Sequence, residues 1–501
     1  MAWSWFTLPD HQAGRWILQH LLALAYVIAF SSALAQFRGL IGSNGLTPAP
    51  RYLRAVGFRR APSVFHLHYS DRFFALVAWV GLALSAAALA GVTDWLPLAA
   101  AVALWLAIWA LYLSIVNIGQ VWYGFGWESL LLEAGFLAAF LGPAYLAPPA
   151  PVIWLLLWLL LRLELGAGLI KMRGDPCWRN LTCLYYHHET QPMPSPTSWW
   201  FHHLPRPLHR VEVAANHVTQ LVVPFLLFAP QPVASVAAAI VVVTQGWLMC
   251  SGNYAWLNFM TITLAFAAVD DRWLPLPSAL VPPEATLAGP PTWFVAAVIA
   301  VTVLMVVLAW WPIHNLCSRH QLMNAGITSV HLGNTYGAFG SVTRHRYEVV
   351  IEGTDDPEPG PRTEWREYEF RGKPGDPRRR PPQVAPYHLR LDWLMWFAAL
   401  SPHYALPWFP RLLEALLRGN RHVLALLRHN PFPDRPPQVV RARLHRYRFT
   451  TWAERRETRA WWVRSEIGEF TPAVSLAPSG QARRRDGRSA ASPEDPSGGL
   501  P

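Results

Sequence analysis

The sequence predicts a polytopic α-helical membrane protein, with about eight or nine transmembrane helices, followed by a C-terminal soluble α+β domain whose strands suggest a β-sandwich-like sheet. Composition is the first ground: 52% hydrophobic and only 15% charged residues in 501 is more apolar mass than a soluble core absorbs. The second is the recurrence of apolar runs close to the length of about 20 residues that a hydrocarbon slab demands. The third is an abrupt change after residue 313 to the alternating and helical spacings of half-exposed elements.

Candidate spans lie near 16–35, 73–92, 98–117, 128–146, 150–171, 213–229, 233–250, 254–269 and 293–312. Ahead of the first, "MAWSWFTLPDHQAGR" holds acidic and polar residues and no small-residue cleavage site follows, so this span reads as a retained membrane helix. Spans 128–146 and 254–269 carry Glu128, Glu133, Asn253 and Asn258, which marks them as broken or partly buried helices.

Connections 36–72, 118–127, 172–212 and everything after 313 are long or polar, whereas 93–97, 147–149, 230–232 and 270–292 are short or rich in Pro and apolar residues. Nine spans make these classes alternate and gather the polar loops and the C-terminal region on one face. The arginines of loop 36–72 give a weak vote for the cytoplasm as that face.

Residues 1–315 thus read as a transmembrane domain with polar loops 36–72 and 172–212 on one face, 316–476 as a soluble domain and 477–501 as a disordered tail rich in Ser, Pro and Gly. In the soluble part, 345–353, 364–370 and 439–449 alternate as strands do, and 388–400, 408–419 and 422–429 have helical spacing.

The net charge of +11 comes almost wholly from arginine, with Lys171 and Lys373 as the two lysines. Codon bias in a GC-rich genome accounts for this, and the dispersed charges predict no nucleic-acid partner.

The helix "PVIWLLLWLLLRLELGAGLIKMRGDP" places Arg162, Glu164 and Lys171 in or near hydrocarbon, where ionisable groups pair or line a cavity. Glu164 and Lys171 share a helical face, and Gly166 and Gly168 admit close approach between them. Its place at a helix end favours a snorkelling Lys171. The functional alternative is a buried base tuned by Glu164, Glu128 or Glu133; no catalytic residue is assigned.

Downstream, Cys177 and Cys183 could form a disulfide if their face is oxidising, or act as a thiol pair. Neither their spacing nor the adjacent pairs His187, His188 and His202, His203 match a standard ligand pattern, so these histidines are a weak metal set and no metal or other cofactor is expected. Trp178, Trp199, Trp200 and Phe201, with Tyr336 and Phe339 in the glycine-rich "GNTYGAFGS", are candidates for contact with a client's apolar surface.

The blocks "GLIGSNGLTPA" (39–49), "GFGWESLLLEAGFLAAFL" (124–141), "LIKMRGDPCWRNLTCLYYHHETQPMPSPTSWWFHHLP" (169–205), "NTYGAFGSVTRHRYEVVIEGT" (334–354), "WREYEFRGKPGDPRRRPPQVAPYHLRLDWLMWFAAL" (365–400) and "NPFPDRPPQVVRARLHRYRFT" (430–450) together resemble the lipase maturation factor family. That resemblance implies a multi-pass membrane protein acting as a chaperone rather than an enzyme. Animal members sit in the endoplasmic reticulum membrane and assist folding and assembly of dimeric secreted lipases. It also implies an extracytoplasmic polar face, against the arginine vote. The arginine bias points to a bacterial source, hence a plasma (inner) membrane. Its partners would be membrane lipid and a client protein, a secreted lipase or an unknown exported protein.

A fainter similarity, through "GAGLIKM" (166–172) and "GSNGLTP" (42–48), links the membrane half to vitamin K-dependent gamma-carboxylase. It implies a membrane-embedded carboxylase-like enzyme with Lys171 as base.

Overall fold

A computed structural model describes residues 5–274, 276, 277, 280 and 286–476, and the backbone of 482–484. The chain forms two compact units. One comprises 1–35, 49–344 and 383–388, the other 36–48, 345–382 and 389–501.

Among the described residues six helices are long and apolar enough to cross a membrane: Pro9–Leu40, Asp71–Leu89, Leu98–Ile118, Ala150–Arg173, Val233–Ser251 and Thr292–Cys317. Three further apolar segments are shorter or interrupted. Gly126–Ala138 stops short of Gly142 and Pro143, and Leu257–Ala265 tightens into a 3-10 turn at Phe266–Ala268. Arg206–Leu221 is separated from Val223–Leu226 just before Pro224, whose ring clashes with the preceding turn. Spans 128–146 and 254–269 are thus short or broken, as their Glu and Asn residues suggested, and 213–229 is broken as well, which its apolar run did not signal. Leu76, Trp79, Trp154, Val243, Val303 and Val306 stand exposed on the long helices, as lipid-facing residues do.

Hydrogen bonds tie the connections into two groups. At one end, the Arg15 guanidinium donates to the Gly142 carbonyl at 2.9 Å, and Gln12 Nε2 to Leu146 at 3.0 Å. Gln231 Nε2 donates to Ala268 at 3.0 Å at this end too. The Asp271 carboxylate accepts from the Gln12 and Ala13 amides, capping the first long helix. At the other end, Asn117 Nδ2 donates to Pro62 and Ser329 carbonyls at 2.8 and 3.0 Å, and Arg173 reaches Gln321 at 2.8 Å. Asn253 Oδ1 accepts from the Val384 and Ala385 amides, both at 2.8 Å. The long polar loops thus share one end.

Residues 316–344, assigned from composition to the soluble domain, cluster with the first unit. The reason is a buried ion pair: Glu133 meets Arg162 at 2.5 Å with both side chains removed from solvent. Glu133 also accepts from the Gly333 amide at 3.2 Å, Asn334 Nδ2 at 3.0 Å and the Tyr336 hydroxyl at 2.8 Å, while Arg162 donates to the Asn334 carbonyl at 2.8 Å. Gly166 faces the Tyr336 carbonyl so closely that a Cβ would collide with it.

In the second unit one antiparallel sheet runs in the order β2-β1-β3-β4-β5, from β1 (Arg346–Thr354), β2 (Arg366–Glu367), β3 (Val439–Phe449), β4 (Trp462–Leu476) and β5 (Ala482–Arg484). Among the described residues no second sheet faces it, so the sandwich reading is corrected. Helices Arg390–Leu400 and Phe409–Leu417 pack on the strands instead. Buried in this unit, Glu348 joins Arg346 at 2.5 Å and Lys373 at 2.9 Å. The tail from 477 lies outside the described residues except at β5.

Removing the Glu133 carboxylate leaves a buried guanidinium unpaired, which costs about 3–5 kcal/mol. Glu133→Ala is expected to lower the thermal unfolding midpoint of the detergent-purified protein strongly. Glu133→Gln, which keeps an acceptor for Tyr336, is expected to lower it less; equal midpoints for both variants and the parent would refute the role given to this pair.

Candidate functional site

The segment after the Ala150–Arg173 helix folds at the polar end as three short helices, Pro176–Arg179, Leu184–Thr190 and Ser198–His202, before Arg206–Leu221 turns back. Pro176 starts the first of these, and Asp175 caps it by accepting from the Cys177 amide at 2.9 Å. Cys177 and Cys183 are joined by a disulfide, with Cα atoms 4.8 Å apart. The bridge is buried beside Trp178, Val213 and Val342, with Leu181, Leu184, Tyr186 and Phe339 packed around them.

Lys171 does not snorkel. Its stem and amine turn inward, 6% exposed, and Nζ donates to Asn216 Oδ1 at 2.8 Å and Gln220 Oε1 at 2.9 Å. The amine also lies 4.9 Å from the centre of the Trp178 ring. Two amide oxygens and an aromatic face occupy the three donors of an ammonium. Trp178 in turn donates to the Phe339 carbonyl at 2.8 Å, so one lysine ties two transverse helices to the loop and to the 333–340 segment. Such an anchor was invisible in sequence because Asn216 and Gln220 lie some 45 residues downstream.

The acidic candidates do not converge on Lys171 through a direct ion pair. Glu133 is spent on Arg162. Glu128 accepts from Tyr112 at 2.5 Å and lies 3.5 Å from His388. Glu164 accepts from Gln245 at 2.6 Å, whose own oxygen accepts from Asn258 at 2.6 Å.

Of the proposed client-binding residues, Trp178, Trp199 and Tyr336 are buried and Phe201 and Phe339 half-buried. Trp200 alone among the six is exposed. Burial here has a structural use, since Trp178 covers the disulfide and Tyr336 serves Glu133.

The four candidate histidines separate. His187 Nε2 meets the Tyr254 hydroxyl at 3.0 Å, and burial followed by the nearby Lys171 charge pushes its imidazole down to about 3, so it is neutral at neutral pH. His203 Nδ1 sits 2.7 Å from the Trp199 carbonyl, and His202 Nε2 lies 3.7 Å from Glu189. His188 instead faces His209 and Glu212, two residues that the paired-histidine pattern did not include. Their H-x-x-E spacing on the Arg206–Leu221 helix is the signal that could have found them.

The comparisons with known proteins bear on the same segments. A model of the lipase maturation factor transmembrane domain matches residues 13–276, and one of the lipase maturation factor C-terminal domain matches 332–472. The chain is 40% identical to human lipase maturation factor 1 over 92% of its own length and 88% of that protein. It belongs to the lipase maturation factor family. Mouse lipase maturation factor 1 is 39% identical across 92% of this chain and 87% of its own, and human lipase maturation factor 2 is 31% identical across 91% and 82%. The fainter gamma-carboxylase resemblance gains no support from these relatives. No solved structure matches the chain.

The disulfide closes a short loop, so by loop-closure entropy it stabilises by about 2 kcal/mol. Cys177→Ser with Cys183→Ser is expected to lower the unfolding midpoint accordingly. Alkylation of the non-reduced parent is expected to label Cys250 and Cys317 and spare the bridged pair; four labelled thiols would rule the bridge out.

Proposed function

We propose that this membrane protein promotes the maturation of an exported client, a secreted lipase first, from the extracytoplasmic side of its membrane. The observation that carries the reading is 40% identity over nearly the whole chain to a protein named for lipase maturation. Its physical content is a polar end built from many loops, in which the buried aromatic residues brace the scaffold and the client meets what that scaffold exposes. Trp200 is one such group, at 38% exposure on the Ser198–His202 helix.

The sidedness rests on the disulfide. A bridged Cys177–Cys183 pair persists in an oxidising compartment, which the reticulum lumen and the periplasm both provide and the cytosol does not. This outweighs the loop arginines, because folded loops escape the positive-inside rule. In a bacterium the membrane is the plasma membrane; in an animal cell it is that of the endoplasmic reticulum.

Two measurements test the proposal. Full-length protein in liposomes is expected to raise the yield of active enzyme from a denatured secreted lipase above that of empty liposomes, and Trp200→Ala to reduce the gain. An unchanged yield removes the lipase reading. Alkaline phosphatase fused to the C-terminus is expected to be active in bacterial cells, and an inactive fusion of full length would place the polar end in the cytoplasm.

A further inference from the structure

The His188, His209 and Glu212 side chains form a cluster that the maturation reading leaves without a use. One ring nitrogen of each histidine and one carboxylate oxygen lie within 4.8 Å of one another. His188 and His209 are each 2% exposed, on different helices, with ring centres 5.5 Å apart.

The polarity of the cluster is unbalanced. His209 Nε2 lies 3.4 Å from the His202 carbonyl, which can only accept, so Nε2 carries the proton there. In the neutral ring Nδ1 is then a lone pair, and it points at Glu212 Oε2, 3.1 Å away. Two acceptors face each other. Beside them both nitrogens of His188 are buried and have no hydrogen-bond partner. A proton on His209 would satisfy Glu212 but do nothing for His188, whereas a cation among the three serves every one of these lone pairs.

We infer that His188, His209 and Glu212 bind a divalent transition-metal ion of the zinc class. Two imidazoles and a carboxylate are a preferred donor set for such an ion, and drawing ligand atoms from 4.8 Å to tetrahedral spacing asks for movements of about 1 Å. The surroundings of His209 and Glu212 are those of metal ligands. The His202 carbonyl orients His209, and Trp247 Nε1 donates to Glu212 Oε1 at 2.7 Å, holding the carboxylate with Oε2 turned to the histidines. Glu212 is partly exposed, which leaves a path for the ion and a position for water. Bound there, the metal clamps the Leu184–Thr190 helix to Arg206–Leu221, a second staple just beyond the short loop that the disulfide closes.

The test uses full-length protein in detergent, stripped with chelator, reloaded with Zn2+ alone and desalted. Elemental mass spectrometry is expected to find about one zinc per chain. His188→Ala and Glu212→Gln are each expected to weaken zinc binding more than about tenfold. His203→Ala, whose ring sits on the Trp199 carbonyl, is expected to bind as the parent does. Glu212→Gln keeps the size of a partly exposed side chain, so its loss of zinc with an unchanged far-UV spectrum separates ligand loss from unfolding. Parent protein that retains no zinc, or a His188→Ala, Glu212→Gln double variant that retains as much as the parent, overturns the inference.

Discussion

Glu133 and Arg162 form an ion pair with almost no solvent contact, and the polar end of the first unit is organised around it. An isolated charge at that depth would be prohibitive, and the pair alone would still leave lone pairs and guanidinium protons unmet. The 333–336 backbone and the Asn334 and Tyr336 side chains meet them. The demand of two buried charges for hydrogen bonds is what draws a segment beyond the last long helix back into the unit.

Lys171 repeats the device one turn from the end of the same helix. Its amine gathers Asn216, Gln220 and the Trp178 ring, and Trp178 reaches Phe339. Glu164, further inside, holds Gln245 and through it Asn258. Each charged residue of the Ala150–Arg173 helix therefore fastens a different neighbour, and its burial cost is offset by local hydrogen bonds. The membrane-embedded residues first read as a candidate catalytic set are each engaged in such contacts. In a maturation factor of the lipase maturation factor family, such a scaffold holds a broad loop surface in one shape, with the Cys177–Cys183 bridge limiting its opening.

The second unit was legible where polar and apolar residues alternate along the chain, even though β1 is buried nearly throughout. β1 and β3 appeared in the sequence as alternating runs, and Gly419, at positive φ just past the Phe409–Leu417 helix, ends it as a C-terminal glycine does. β4 left no such trace. Its middle is exposed on both faces, it contains Pro472, and its pairing with β3 slips at several places, so no period of two survives.

What the sequence determined by itself is a multi-pass helical membrane part followed by a C-terminal part that carries the sheet, because hydrophobic period and length act over neighbouring residues. The tertiary structure alone decided that the 213–229 segment breaks, that Lys171 turns inward and that 316–344 joins the first unit. It also decided that His188 pairs with His209 and Glu212 rather than with its neighbours in sequence. Each of these outcomes depends on a partner dozens or hundreds of residues away, and a buried polar group takes whichever partner the fold places within hydrogen-bonding distance.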